Sequence, residues 1–325
     1  MILTGDVGGT KTVLALYDPG KGVAGGAVRR ARFRSGGYDS LEAMVGEFLR
    51  QTGATPKIAS FGVAGPVREG RARITNLPWS VNADSLRDAF GMREVLLLND
   101  LEALAVAVPH LAPEEVATLN PGRPEKNGNM VVVAPGTGLG VAFMVWANGR
   151  YRARPSEGGH ASFAPRTSHQ VELLQYLQRR HGHVSFERVC SGAHLPDLLD
   201  FLRERGIREE PEWLRRELSR AEDRTPVIVQ AALERKAEIY EEALDLFVQA
   251  LGTLIGDLAV TLLPRGGIYL GGGIPLRILE RLRRPDFLDS IKDKGRFSGL
   301  CGKMPLHVIM NPEAALQGAA RYALE

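Results

Sequence analysis

The segment GDVGGTKT at residues 5–12 constrains this chain more than any other. It nearly matches a Walker A phosphate loop, but Thr10 stands where the second required glycine belongs. A Walker A loop must open a helix. The run that follows, Val13–Asp18, meets Pro19-Gly20 too soon for a helix to form. Another apolar run, 2–7, precedes the Gly-Gly turn, so the pair predicts a β-hairpin. Backbone N–H groups in such a hairpin can cradle phosphate without a helix dipole. On these residues alone, a tight turn with no ligand is an equal reading.

The same design recurs further along the chain. Strand 130–134 runs into GTGLG at 136–140, strand 141–147 follows, and Asn148-Gly149 turns into 150–154. Strand 57–63 ends in Ala64-Gly65-Pro66, and strand 267–271 ends in a glycine loop, 271–273, closed by Pro275. Two Gly/Thr hairpins and two strand-ending glycine loops predict a duplicated α/β unit with a cleft between the copies. Ligands in such sheets collect at the carboxyl ends of strands, where these loops lie. Helices are predicted near 39–50 and 82–90, the latter capped by Asn82 or Asp84, and through most of 168–263. The Pro/Gly/Asn-rich stretch 119–129 reads as a linker or long loop.

Composition sets the limits. A chain of 325 residues with 44% hydrophobic and 24% charged residues suits a soluble protein of two domains. The net charge of +3 is spread along the chain, and the Arg-rich stretch 202–224 is interleaved with Glu, so no nucleic-acid partner is expected. Cys190 and Cys301 lie in no CxxC, which argues against a cysteine zinc site or a disulfide framework. The apolar stretch 243–263 is broken by Asp245, Gln249 and Asp257 and reads as a core helix, so no membrane partner is expected. The N-terminus enters a strand at Ile2 with no signal peptide, and the expected location is cytoplasmic.

Several residues carry chemistry. Two facing Gly/Thr loops can hold a triphosphate, with Asp6 placed to hold Mg2+ through water. LGGG at 270–273 can lie under an adenine ring, where only glycine permits close approach. Asn99-Asp100 follows five apolar strand residues; locally a helix N-cap is the simpler reading, the alternative being a carboxylate directed into the cleft. In SEGGH at 156–160 the Gly pair argues against a helical metal pair, and Glu157 and His160 suit vicinal sugar hydroxyls. Glu187, after Ser185, reads locally as a charge at a helix start. His181 and His183 read as structural or surface groups.

Taken together, GDVGGTKTVLALYD, FGVAGPV, TNLPW, LLNDLEALA, GTGLGVA, EGGHASFAP, ERVCSG and GGGIP occur in order over nearly the whole chain. In this combination the chain resembles the bacterial ATP-dependent glucokinases, the group without a zinc motif. The resemblance implies two actin/hexokinase-like (ribonuclease H-like) domains. A small one spans about 1–110, with the terminal helix 311–325 returning to it, and a larger one spans about 111–310. It implies ATP and Mg2+ as cofactors, glucose as acceptor and a homodimer. Asn99, Asp100, Glu157, His160 and Glu187 would contact glucose, with Asp100 as the base that accepts the 6-hydroxyl proton. Gly8, Gly9, Thr10, Lys11, Gly136, Thr137 and Gly138 would hold phosphates, Asp6 would take part in nucleotide binding by holding Mg2+ through water, and Gly271, Gly272 and Gly273 would approach adenosine. Family members often carry Asn where Lys11 stands. A kinase of another hexose or of an N-acetyl amino sugar is the nearest rival. A repressor-related zinc kinase lacks its cysteine cluster here. A non-catalytic sugar sensor would normally bring a DNA-binding helix pair.

Overall fold

The computed structural model describes residues 1–74, 77–206 and 208–324. Thr75 and Asn76 of the TNLPW segment lie outside the described residues. The chain divides into two units. One comprises Met1–Glu115, Ala142–Pro155 and Asn311–Glu325; the other comprises Val116–Val141 and Ser156–Met310. The segment Ala142–Pro155, assigned on sequence to the larger domain, thus groups with the first unit.

Fourteen strands are present among the described residues: β1 (Ile2–Val7), β2 (Lys11–Tyr17), β3 (Arg29–Arg34), β4 (Ile58–Val63), β5 (Val67–Arg68), β6 (Arg71–Arg73), β7 (Ser80–Asn82), β8 (Glu94–Asn99), β9 (Val116–Asn120), β10 (Met130–Pro135), β11 (Leu139–Ala147), β12 (Arg150–Ser156), β13 (Gly267–Leu270) and β14 (Leu306–Ile309). The first large sheet has the order β3-β2-β1-β4-β8 and the second β12-β11-β10-β13-β14-β9. Both begin with a three-strand meander whose first strand is extended by two later parallel strands: β1 pairs with β4 and β4 with β8, and β10 pairs with β13 and β13 with β14. The duplication legible in the loops is therefore a duplication of sheet topology. The second copy adds β9 antiparallel along its edge. That strand takes up 116–120, so the stretch expected to be a loop from 119 begins as a strand, because its N–H groups find partners on β14.

In the first unit, β1 pairs antiparallel with β2 in a register that sets Val7 opposite Thr12, leaving the Gly-Gly turn beyond the ends of the two strands. One face of this sheet packs Leu3, Leu14, Phe61 and Phe48 into a core with Trp79 and Val81. The helix supplying Phe48, Leu41–Thr52, is capped by Ser40, which accepts the Ala43 N–H, and stops at Gly53 in the left-handed region. On the other face Val13, Ala15 and Tyr17 meet Leu316 and Ala320 of the helix Ala314–Tyr322. That helix also packs on the helix Asp100–Ala107 so tightly that a Cβ at Gly318 would lie 1.8 Å from the Ala103 carbonyl oxygen.

The second unit is built around the helix Glu238–Leu262, most of which is buried. Among the described residues it alone is long and apolar enough to cross a membrane, but its polar interruptions are all engaged within the unit. Asp245 accepts from buried Arg281 at 2.5 Å, Asp257 from Lys294 at 2.6 Å, and Gln249 from Gln170 at 3.3 Å. Buried charges are tolerable when paired in this way.

Candidate active site

In the first unit, parallel strands β1, β4 and β8 end side by side, and their ends carry the polar groups. Asn99 closes β8 and caps the helix Asp100–Ala107: its Oδ1 accepts the Leu101 N–H at 2.9 Å and its Nδ2 donates to the Gly65 carbonyl at 3.0 Å. The cap is therefore Asn99, and the helix starts at Asp100. The Asp100 carboxylate also accepts the Leu101 N–H, at 2.9 Å. Gly62 of β4 permits this helix to lie close, since a Cβ there would stand 2.9 Å from that of Ala103.

Asp100 is consequently desolvated. Burial pushes its carboxyl up to about 6; the Leu101 N–H opposes the rise, and the neighbouring Asp6 carboxylate adds to it. Asp6, on β1, is also raised by burial, partly offset by Lys11. Two desolvated carboxyls near each other, with one exposed lysine as counter-charge, form a donor set that suits a hard divalent cation. Among the described residues, no cluster of three or more His, Cys, Asp or Glu side chains could hold a metal.

The β1–β2 turn is fastened by Ser35, a fully buried residue that the sequence does not mark. Its Oγ donates to the Gly8 carbonyl at 2.7 Å, and its N–H donates to the Thr10 carbonyl at 3.0 Å. Thr12 Oγ1 lies 3.0 Å from the same Ser35 oxygen. Gly8 N–H closes the turn on the Lys11 carbonyl at 3.0 Å. The N–H groups of Gly9 and Thr10 make no hydrogen bond among the described residues. A pinned turn with two free N–H groups is an anion cradle.

In the second unit the β10–β11 turn repeats this arrangement. Gly136 N–H donates to the Gly138 carbonyl at 2.8 Å, while the N–H groups of Thr137 and Gly138 are free among the described residues. Leu139 is the hub of the surrounding groups. Its N–H donates to Glu187 at 2.9 Å, and a Cβ at Gly159 would lie 2.0 Å from its carbonyl oxygen. Gly159 belongs to a 3-10 turn, Gly158–His160, which sets Glu157 and His160 on one side with Nε2 and Oε2 4.0 Å apart. The Gly pair forms a single 3-10 turn in place of an α-helix, with Ser156 Oγ accepting the Gly158 N–H at 3.0 Å. Both side chains point outward, 80% and 59% exposed, and are available to a ligand.

Beside the end of β10, β13 ends at Leu270 and the Gly271 N–H donates to the Val133 carbonyl at 2.9 Å. Gly272 adopts φ 83, and a Cβ would lie 2.8 Å from the Pro135 carbonyl oxygen, so only glycine fits. The space over Gly273 is open. A short helix starts at Gly273 and includes Pro275, which therefore sits inside a helix and does not close a loop. The two histidines flanking Gly182 and their neighbour lie among local groups: His183 meets the Ser162 hydroxyl at 3.2 Å, and His194 meets Asp197 at 3.0 Å, with His181 3.6 Å from the same carboxylate.

Comparison with known proteins accounts for this combination. The family model described as Glucokinase matches residues 3–325. The chain belongs to the glucokinase family. It is 34% identical to the glucokinase of Nostoc punctiforme, with 98% of each chain covered. Its fold matches the crystal structure of glucokinase from an Antarctic psychrotroph with TM-score 0.84 at 30% identity, covering 99% of this chain and 98% of that one. A glucokinase from Streptomyces griseus, solved with glucose and AMPPNP, shares the fold at TM-score 0.62 and 19% identity, with 99% of each chain covered. The family relationship makes the protein an ATP-dependent hexose kinase with glucokinase activity. It also gives the repeated sheets their identity as the two domains of the actin/hexokinase-like fold.

Proposed function

We propose that Asp100 is the general base of this glucokinase, accepting the proton of the glucose 6-hydroxyl as that oxygen attacks the γ-phosphorus of ATP. The observation that carries the reading is the environment of Asp100. It is a buried carboxyl raised to about 6, beside Asp6, with helix capping already performed by Asn99. A base with that affinity for a proton is ionised at neutral pH yet basic enough to take a hydroxyl proton in the transition state.

The other assignments follow from the chemistry of each group. Asn99 orients the strand end and offers an amide to the sugar. Glu157, His160 and Glu187 accept from or donate to glucose hydroxyls. The free N–H groups of Gly9, Thr10, Thr137 and Gly138 stabilise charge on the transferring phosphoryl group, where such donors act most strongly. Gly8 and Gly136 keep side chains away from the phosphates, and Lys11 adds a positive charge next to the first turn. Gly271, Gly272 and Gly273 lie next to adenosine, over open space at Gly273. Asp6 holds Mg2+ through water, and when bound the ion supplies charge neutralisation along the triphosphate. Its fit rests on the two desolvated carboxyls, which a dication would relieve of mutual repulsion. The protein is proposed to act in the cytoplasm as a homodimer.

The test is a coupled assay with glucose, its epimers and deoxy analogues, and with ATP replaced by ADP or polyphosphate. A site that hydrogen-bonds sugar hydroxyls disfavours sugars lacking one, so glucose with ATP should lead in kcat/KM, and Glu157→Ala should erode that preference. Equal turnover of mannose, galactose and glucose would remove the proposed hydroxyl contacts.

A further inference from the structure

Glu187 stands at the start of the short helix Glu187–Cys190, half-buried, and its one side-chain hydrogen bond among the described residues goes to the β10–β11 turn. Its Oε2 accepts the Leu139 N–H at 2.9 Å, and Gly138 is so near that a Cβ there would lie 2.8 Å from the same oxygen. The segment that follows Glu187 grips the turn twice more through main chain. Gly192 N–H donates to the Gly136 carbonyl at 2.7 Å and Ala193 N–H to the Thr137 carbonyl at 3.1 Å, while Thr225 Oγ1 fixes Gly192 from behind at 2.6 Å. One flank of the turn is thus held by backbone, and the other is held by a single side chain. Between them lie the two free N–H groups of Thr137 and Gly138.

We propose that Glu187 is a positioning residue for the phosphoryl donor as well as a sugar ligand, so that the two substrates bind cooperatively through one carboxylate. The inference rests on the donor and sugar assignments above. One oxygen is committed to the turn, and the other accepts a sugar hydroxyl. A carboxylate anchored at both ends loses its freedom to swing, and the turn it braces is ordered before nucleotide arrives. The second ligand then meets part of its ordering cost already met. Linkage requires the effect to be mutual: nucleotide must raise glucose affinity by the same factor.

Calorimetric titration of the full chain with AMPPNP and Mg2+, with and without glucose, tests this on native protein, Glu187→Gln and Glu187→Ala. Gln retains an amide oxygen that accepts the Leu139 N–H; Ala retains nothing. Without sugar, Glu187→Ala should bind AMPPNP about 3–10-fold more weakly, the effect of one charge-assisted bond, while Glu187→Gln should stay within about twofold of native. In native protein, glucose should tighten AMPPNP binding by about fivefold or more. Native sugar-free affinity in a folded Glu187→Ala would overturn the positioning role and leave the sugar assignment standing. Weakened AMPPNP binding with unchanged glucose binding would overturn the coupling and remove Glu187 from the sugar site. A second measurement does not depend on the Ala variant folding: glucose should slow hydrogen exchange at the Leu139 amide in native protein. Unchanged exchange there would also overturn the proposal.

Discussion

Asp100→Asn separates chemistry from folding in one substitution. Asn keeps the shape of Asp and an oxygen that accepts the Leu101 N–H, and the cap at Asn99 is untouched. Removing the basicity of the proton acceptor should lower kcat by about 10²-fold or more, with glucose binding retained. Stability should move the opposite way. The native carboxyl titrates near 6 against an ordinary 3.8, so the folded state holds this proton more tightly than the unfolded chain does. The stabilising contribution is complete below about pH 3.8 and is lost as pH rises through about 6. That difference corresponds to about 3 kcal/mol of destabilisation by the ionised group at pH 8. Asp100→Asn does not pay it. The variant should therefore melt about 5–10 °C above native protein at pH 8 and close to native at pH 4. Scanning calorimetry at the two pH values, alongside a coupled kinase assay, measures both effects. An inactive variant with no gain in stability at pH 8 would refute the desolvation argument. A folded variant with near-native kcat would remove Asp100 from the reaction.

The native enzyme should lose kcat/KM about tenfold per pH unit below about pH 6, because Asp100 must be ionised in the free enzyme to accept a proton; a profile flat to pH 5 would contradict this. Ser35→Ala removes the hydroxyl that ties the first turn through Gly8 and Thr12, and should raise KM for ATP about 3–10-fold with KM for glucose unchanged; steady-state kinetics with each substrate varied gives the answer. Gly318→Val drives a side chain into the Ala103 carbonyl and should destabilise the first unit by several kcal/mol, read as a fall in Tm or loss of soluble protein.

The loops were readable because their chemistry is local. A Gly-Gly turn between apolar runs, a strand stopped by Pro19-Gly20 and Asn-Gly at 148–149 each dictate backbone geometry within a few residues, and the predicted hairpins are present. The charged breaks in the long apolar stretch signalled a core helix, and Asp245 and Asp257 do find buried or half-buried partners. Strands β3, β9 and β14 were not legible. β3 is Arg-rich at a sheet edge, and the pairing of β9 with β14 joins residues almost two hundred positions apart, so nothing in either local pattern announces it.

The candidate site divides along the same line. The residue types at positions 6, 8–11, 99–100, 136–138, 157, 160 and 187 state in sequence which groups can bind phosphate, hydroxyl or a proton. How those groups are held depends on contacts distant in the chain: Ser35 under the first turn, Gly62 admitting the helix that buries Asp100, Gly192 and Ala193 gripping the second turn. In sequence the Asn99-Asp100 pair read either as a helix N-cap or as a carboxylate at a strand end, and the Asn99 hydrogen bonds show which residue performs the cap. The proton affinity of Asp100 is likewise a tertiary property, since the same carboxyl in water would titrate near its ordinary value. Sequence determines which functional groups a chain owns; only packing determines how much water each one loses, and desolvation raises the proton affinity of a carboxyl at a strand end.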